Sequence, residues 1–394
     1  MSKRESAPDL LRGCALWGIL VVNFPFFAHA LYQDPLARAH SILDYVAIWL
    51  NAFAFEGKFY ILFAFLYGYS FSLLLARTHA QPVRPGWYWR RLLGLALIGL
   101  VHACFLFVGD ILVSYALLGA VLWLLQKAST RHLLNGAVAA LGLAVAGRLV
   151  LALVSGLDSP VQQAQLMQLQ HQATAAYLGS AWDALTQRGQ DLIVFYLLTP
   201  LFNWPTMLAM ALLGICAQRE HSLATLQALK AKQMLPLAAV ACAGNALYAW
   251  EHLLVLPQAD RLLIWAQEAL TAPLLALCYV WILLQWREGT WLRPALIACG
   301  RMSLTIYVGQ ALIGSLIFAH WGLRAFGTLS PLACLLCPIL LQSLLMICAQ
   351  AWLRKWRMGP DEWLLRSWTY LAWQPFRRVI PDVQTLQSQT KAKA

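Results

Sequence analysis

The sequence predicts an all-α fold: a single membrane domain, 1–394, built as a polytopic helical bundle of about ten transmembrane helices. Three observations carry this. The chain is 60% hydrophobic and only 12% charged, with a mean hydropathy of +0.61, whereas soluble domains carry about 25% charged residues. Apolar runs of about 20 residues, enough to cross a bilayer as helix, recur along its length. The Lys and Arg residues gather at the ends of those runs, on one side.

In chain order the runs fall at 11–31, 59–76, 92–109, 111–126, 133–154, 192–216, 234–256, 268–286, 296–319 and 331–353. They are too long and continuous for barrel strands, so helices must satisfy the backbone in lipid. The first run is followed by no small-residue cleavage site and reads as a true span. The stretch 42–55, ILDYVAIWLNAFAF, is short for a span and predicts an interfacial or re-entrant helix within the outer connection 32–58. The connection 155–190 is Gln-rich and predicts an outer loop with a surface helix, or a cap over an outer cavity. No fixed-period repeat is visible.

With the N-terminus (1–10) inside, 23 of the 29 Lys and Arg residues fall on the inner side. That asymmetry sets both termini in the cytoplasm, with 354–394 as a basic, Trp-rich amphipathic tail. The net charge of +12 is thereby assigned to topology and the lipid bilayer, not to nucleic acid. The nine cysteines show one near-pair, Cys334 and Cys337, and no metal-finger spacing, so they read as small apolar packing residues and no metal site is expected. The oligomeric state is not legible.

Ionisable groups inside apolar runs are costly and mark function. Asn23 follows Arg12 by 11 residues, and His102 follows Arg91 by the same interval. At about 1.5 Å per residue both sit roughly 16 Å above the inner edge, near the midplane. Asn203, Asn245 and Gln310 fall at similar depth. Each Asn or Gln can equally bond a neighbouring helix backbone. A second set lies near the outer surface: Glu56, Lys58, Asp110, Glu251 and His252, with His29, His40 and His320 as further candidates. On a regular helix Asp110 is about 12 Å of rise beyond His102, so the two share a face without touching. Asp110 is then free to pair with Lys58, to cap a turn or to meet an outer ligand. Arg12, Arg90, Arg91 and Arg301 form an inner basic set that follows the topology and could also hold phosphates.

Five ordered motifs carry a resemblance. DLLRGCALWGILVVN (9–23), GKFYILFAFLYGYSF (57–71), GLVHACFLFVGDILVSYALLG (99–119), CGRMSLTIYVGQALI (299–313) and GPDEWLLRSWTY (359–370) resemble the bacterial YeiB family, a domain of unknown function. Ile306 stands where that family usually shows Asn. The family is similar to a wider superfamily of transmembrane acyltransferases, whose members share an Arg, ten residues and then His or Asn in the first span, the spacing of Arg12 and Asn23. The resemblance implies transfer of an acyl group from cytosolic acyl-CoA, as co-substrate and not as a tightly bound cofactor, to an extracytoplasmic glycan, lipid or small-molecule acceptor. His102 would be the base and Asn23 a donor to the oxyanion. Asp110, Glu56, Lys58, Gln310 and Tyr115 would line the acceptor site, and Arg12, Arg90, Arg91 and Arg301 would hold the coenzyme. Two other classes remain open: a transporter using the same polar centre, or a non-enzymatic membrane partner acting through the tail.

The topology has a direct test. In a background silent to thiol reagents, Gln165→Cys should label from outside the cell and Val383→Cys only from inside. Labelling of both from one side would contradict the ten-span arrangement.

Overall fold

The structure is a computed structural model that describes residues 6–31, 33–80, 84–154, 160–254, 256–286 and 289–378. Lys3, Arg4, Arg287, Lys391 and Lys393, which contribute to the charge asymmetry, lie outside the described residues, as do 155–159 of the outer connection and 379–394 of the tail. Among the described residues the architecture is all-α, with one isolated bridge between Trp356 and Arg377.

Helix α1 covers Ala7–Ala28, and a 3-10 turn follows at Pro35–Arg38. Helix α2 (Ile42–Ala54) fits the short helix expected at 42–55. It starts at a capping box in which Ser41 and Asp44 satisfy each other's backbone N–H groups, and it packs on later helices of the bundle. Then come α3 (Phe59–Ala80), α4 (Trp87–Phe105), α5 (Leu112–Leu124) and α6 (Thr130–Val154). The expected outer loop is helical: α7 (Pro160–Leu178) and the first half of α8 (Ala181–Phe202) form a hairpin. The chain continues as α9 (Trp204–Arg219), α10 (Ser222–Ala228), α11 (Ala231–Glu251), α12 (Gln258–Leu284), α13 (Leu292–Arg301), α14 (Ser303–Phe318), α15 (Pro331–Lys355) and α16 (Pro360–Tyr370).

Among the described residues five helical stretches are long and apolar enough to cross a membrane, and a sixth if α13 and α14 count as one broken span. Their outer faces carry rows of exposed apolar side chains, among them Val138, Leu143, Val150 and Leu153 on α6 and Leu336, Leu340, Leu344 and Ile347 on α15. Such continuous apolar surface suits lipid, not water. Several of the expected spans are interrupted or shortened. The expected span 192–216 breaks at Asn203, between α8 and α9. The expected span 296–319 bends by 92° at Met302. The runs 92–109 and 111–126 shorten, because α4 stops at Phe105 and α5 has only 13 residues. Hydropathy sees composition and not these breaks, whose exposed backbone is tolerated only where protein covers it.

Two helix pairs approach backbone to backbone through glycine. On α1 and α13, a Cβ at Gly13 would overlap Leu296 O, and one at Gly300 would overlap Asp9 O. On α3 and α9, Gly68 faces Ala211 O and Gly214 faces Phe65 O in the same reciprocal way. Small residues of this kind bring helices together where burial from water supplies no drive. The C-terminal α16 folds back under the bundle: Glu362 accepts from Leu304 N (2.6 Å), Thr305 N (3.2 Å) and Thr305 Oγ1 (2.6 Å) at the start of α14. Burial pushes the Glu362 carboxyl above its usual range, against the pull of these donors.

Gly214→Val would force α9 away from α3. A loss of roughly 1–3 kcal/mol or more is expected from the overpacking, read as a lower midpoint of thermal unfolding and reduced monodisperse yield of the full chain in detergent. An unchanged midpoint would show that the two helices can separate freely.

Candidate functional site

The site begins with the way α4 ends. His102 O accepts from both Leu106 N and Phe107 N, each at 2.9 Å, which closes the helix. Residues 106–111 then turn back into the bundle before α5 begins. Asp110 caps α5 by accepting from Val113 N at 2.9 Å. The turn also folds Asp110 onto His102: Asp110 Oδ1 lies 2.9 Å from His102 Nδ1, with both side chains fully buried. The sequence-based separation of the two therefore fails, because it assumed a helix that continues through Gly109. The contact is close but is not in line with a ring N–H, and neither ring nitrogen of His102 has an aligned hydrogen bond among the described residues.

Tyr307 on α14 holds this turn. Its ring stacks on His102 at 4.8 Å between centroids. Its hydroxyl donates to Gly109 O at 3.4 Å and accepts from Ile111 N at 3.3 Å, so it brackets Asp110 on both sides. Tyr196 OH adds a longer contact to Asp110 Oδ2, at 3.4 Å.

Asp110 faces a cavity of about 480 Å³. Its walls come from α1 (Asn23, Phe26), the α2–α3 turn (Glu56, Gly57), the 106–111 turn, α6 (Arg148), the α8–α9 break (Asn203), α11 (Tyr248) and α12 (Trp265, Glu268). Of the residues expected at a site, Asn23, Glu56 and Asp110 line it together. His102 does not; it stands behind Asp110, and the expectation that it shares the cavity with Asn23 is corrected accordingly. Lys58 also lies behind the wall, fully buried, donating from Nζ to Ala52 O at 2.7 Å and sitting 5.2 Å from the Tyr248 ring centroid. It is not paired with Asp110.

Four other expected contacts serve packing. Gln310 Nε2 donates to Leu16 O at 3.1 Å and to Gln342 Oε1 at 2.8 Å, which ties α14 to α1 and α15. Tyr115 OH donates to Tyr60 O at 3.1 Å, with its ring against Phe63 and Tyr67. Arg12 pairs with Asp9 at 2.7 Å and donates to Ser70 Oγ. Arg90 donates to Thr369 O at 3.0 Å and to Pro85 O at 2.9 Å, which fastens α4 to α16. Neither Arg91 nor Arg301 lines the cavity. Asn245, with its amide on Ala241 O and Thr271 O, is likewise a helix–helix tie.

The structure adds two charged residues to the site. Arg148 is buried on α6, donates to Ala144 O at 3.3 Å and lines the cavity. Glu268 is 6% exposed, with Oε1 turned towards Gly57 and without a hydrogen bond among the described residues; a Cβ on Gly57 would overlap it. Both stand inside expected spans, 133–154 and 268–286, where an ionisable residue is itself the signal. Glu268 was hidden by lying at the first residue of its run. At the rim, His252 lies 3.6 Å from Glu56 and 3.1 Å from Glu251, and Arg261 holds Glu251 at 2.7 Å.

Comparison with known proteins places the chain. The family model for a protein of unknown function (DUF418) matches residues 217–372. The Bacillus subtilis protein YxaH is 31% identical over 405 residues, 96% of this chain and 97% of its own. The chain belongs to the YeiB-like family. Escherichia coli YeiB itself is 29% identical over 95% of this chain and 98% of its own. Both YeiB-like relatives are described as uncharacterised. No solved structure matches.

Tyr307 can be tested for its hold on the turn. Tyr307→Phe removes one hydroxyl that serves two backbone groups and should cost about 1 kcal/mol. Tyr307→Ala also empties a buried aromatic site and should cost about 3–5 kcal/mol. Thermal unfolding of the full chain in detergent reads both. Equal midpoints for the Phe variant and the wild type would show that the hydroxyl holds nothing.

Proposed function

We propose that the protein is a membrane-embedded acyltransferase that works on an acceptor held in the Asp110 cavity. The observation that carries the reading is the buried Asp110–His102 pair, with the carboxylate at the cavity wall and the imidazole behind it. Such a pair is a proton-handling device: the carboxylate meets the ligand, and the ring orients and steadies it. This reverses the order expected from the sequence, in which His102 was to be the base. The acceptor's O–H or N–H gives its proton to the Asp110 carboxylate as the acceptor atom bonds to the thioester carbonyl carbon. The carbon–sulfur bond then breaks, and coenzyme A leaves as a thiolate that takes up the proton held by Asp110, which restores the carboxylate. The Asn23 amide N–H, on the same cavity, donates to the oxyanion formed between these steps. The choice of acyl-CoA as donor rests on the family resemblance, since Arg12 and Arg90 already serve other groups of the protein.

One observation favours a transporter as the second reading. The cavity is bordered by the α8–α9 break and the 106–111 turn, and interrupted helices around a cavity with charged groups in its wall also suit a substrate path.

The test is release of coenzyme A from acetyl-CoA by the full chain in nanodiscs supplied with bacterial envelope extract as the source of acceptor. Asp110→Asn should lose roughly 10²–10⁴-fold, the usual worth of a general base, while His102→Gln should lose less. Release that is the same in wild type and Asp110→Asn would end the transferase reading. Proton-coupled flux of an extract component into proteoliposomes, lost in the same variant, would put the transporter in its place.

A further inference from the structure

Two of the sequence motifs, CGRMSLTIYVGQALI and GPDEWLLRSWTY, play no part in the cavity wall, yet they meet each other. The Glu362 of the second caps the first turn of α14 through Leu304 and Thr305 of the first, and Asp361 N donates to Thr305 Oγ1 at 3.1 Å. One helical turn or less separates these residues from Tyr307. The same short helix α16 grips the start of α4: Arg90 Nε donates to Thr369 O at 3.0 Å, and Trp368 Nε1 donates back to Arg90 O at 2.8 Å. Leu365 and Trp368 close over Gly94, where a Cβ would meet them both. So α16 holds two helices at once, and further along each of them stands one member of the stacked pair His102 and Tyr307.

We infer that Glu362 is a positioning residue for Asp110: α16 sets α4 and α14 relative to each other, and through the His102–Tyr307 stack and the Tyr307 hydroxyl it fixes the turn that presents Asp110 to the cavity. The C-terminal tail is thus part of the site at a distance. The inference stands on contiguous contacts and does not depend on whether the cavity serves acyl transfer or transport.

A bare structural cap would keep its effect local. A shift in α14 moves Tyr307, which cannot keep both Gly109 O and Ile111 N in reach, because its contacts at 3.4 and 3.3 Å are already long. The α14 bend at Met302 also leaves its first turn with no preceding helix to continue from, so Glu362 is what satisfies the N–H groups of Leu304 and Thr305.

Hydrogen exchange of the full chain in nanodiscs tests this, since it reads local opening. Glu362→Ala should speed exchange by at least about tenfold in peptides covering 303–308 and also in those covering 106–113, while α6 and α15 stay as in wild type. Glu362→Gln keeps an acceptor oxygen for the α14 amides and should restore much of the protection at 106–113. If Glu362→Ala lowers folded yield, Thr305→Ala, which removes one of the three contacts, should show the same paired pattern more weakly. Loosening of 303–308 and 360–370 with 106–113 unchanged, in either variant, would overturn the inference. It would leave the proposed transferase function untouched, because that is read by turnover in Asp110→Asn.

Discussion

The bundle's polar centre depends on one turn, residues 106–111, being folded inward. An irregular segment inside an apolar helical bundle leaves backbone groups that lipid cannot satisfy, at several kcal/mol apiece. Here the turn is covered by protein. His102 O takes two of its amides, Asp110 takes Val113 N, and the Tyr307 hydroxyl serves Gly109 O and Ile111 N. These bonds exist because α4 stops four residues short of where its apolar run ends. The inward fold converts Asp110 from an outer-surface residue into a cavity wall, and it brings His102 against it.

The rest of the structure can be seen as the support that turn requires. Reciprocal glycine contacts lock α1 to α13 and α3 to α9, so the frame around the cavity is held by close backbone packing. Gln310 bridges α1, α14 and α15 in the same frame. Polar side chains at matched depth are thus divided between two jobs. Asn23 and Asn203 line the cavity, whereas Gln310 and Asn245 join helices. Depth counted from the inner arginines cannot separate these jobs, because it fixes height along a helix and not the direction a side chain takes around it.

Charge around the cavity is shared between wall and second layer. Glu56, Asp110, Glu268 and Arg148 line it, Lys58 and His102 stand behind, and His252 sits at the rim. Burial of single charges at this depth is expensive unless opposite charge lies near. The close approach of Glu251 to Arg261, and of His252 to both Glu56 and Glu251, shows that economy at the rim.

Some of this was legible in the residues alone. Composition and run length determined an all-α bundle with several helices apolar and long enough to cross a membrane, because covering a bilayer core with helix needs long apolar runs whatever the fold. The motifs determined the family, and the cost of ionisable groups near apolar runs marked His102, Asp110 and Glu56 and holds equally for Arg148 and Glu268. Tertiary structure alone decided which of them meet. The His102–Asp110 contact needs α4 to end at Phe105, and the Glu362 cap joins residues 57 and 58 positions apart in the chain. Helix breaks of this kind are set by the groups that arrive from elsewhere to satisfy the freed backbone, here Tyr307 and Glu362, and no local pattern around residue 106 or 302 contains them.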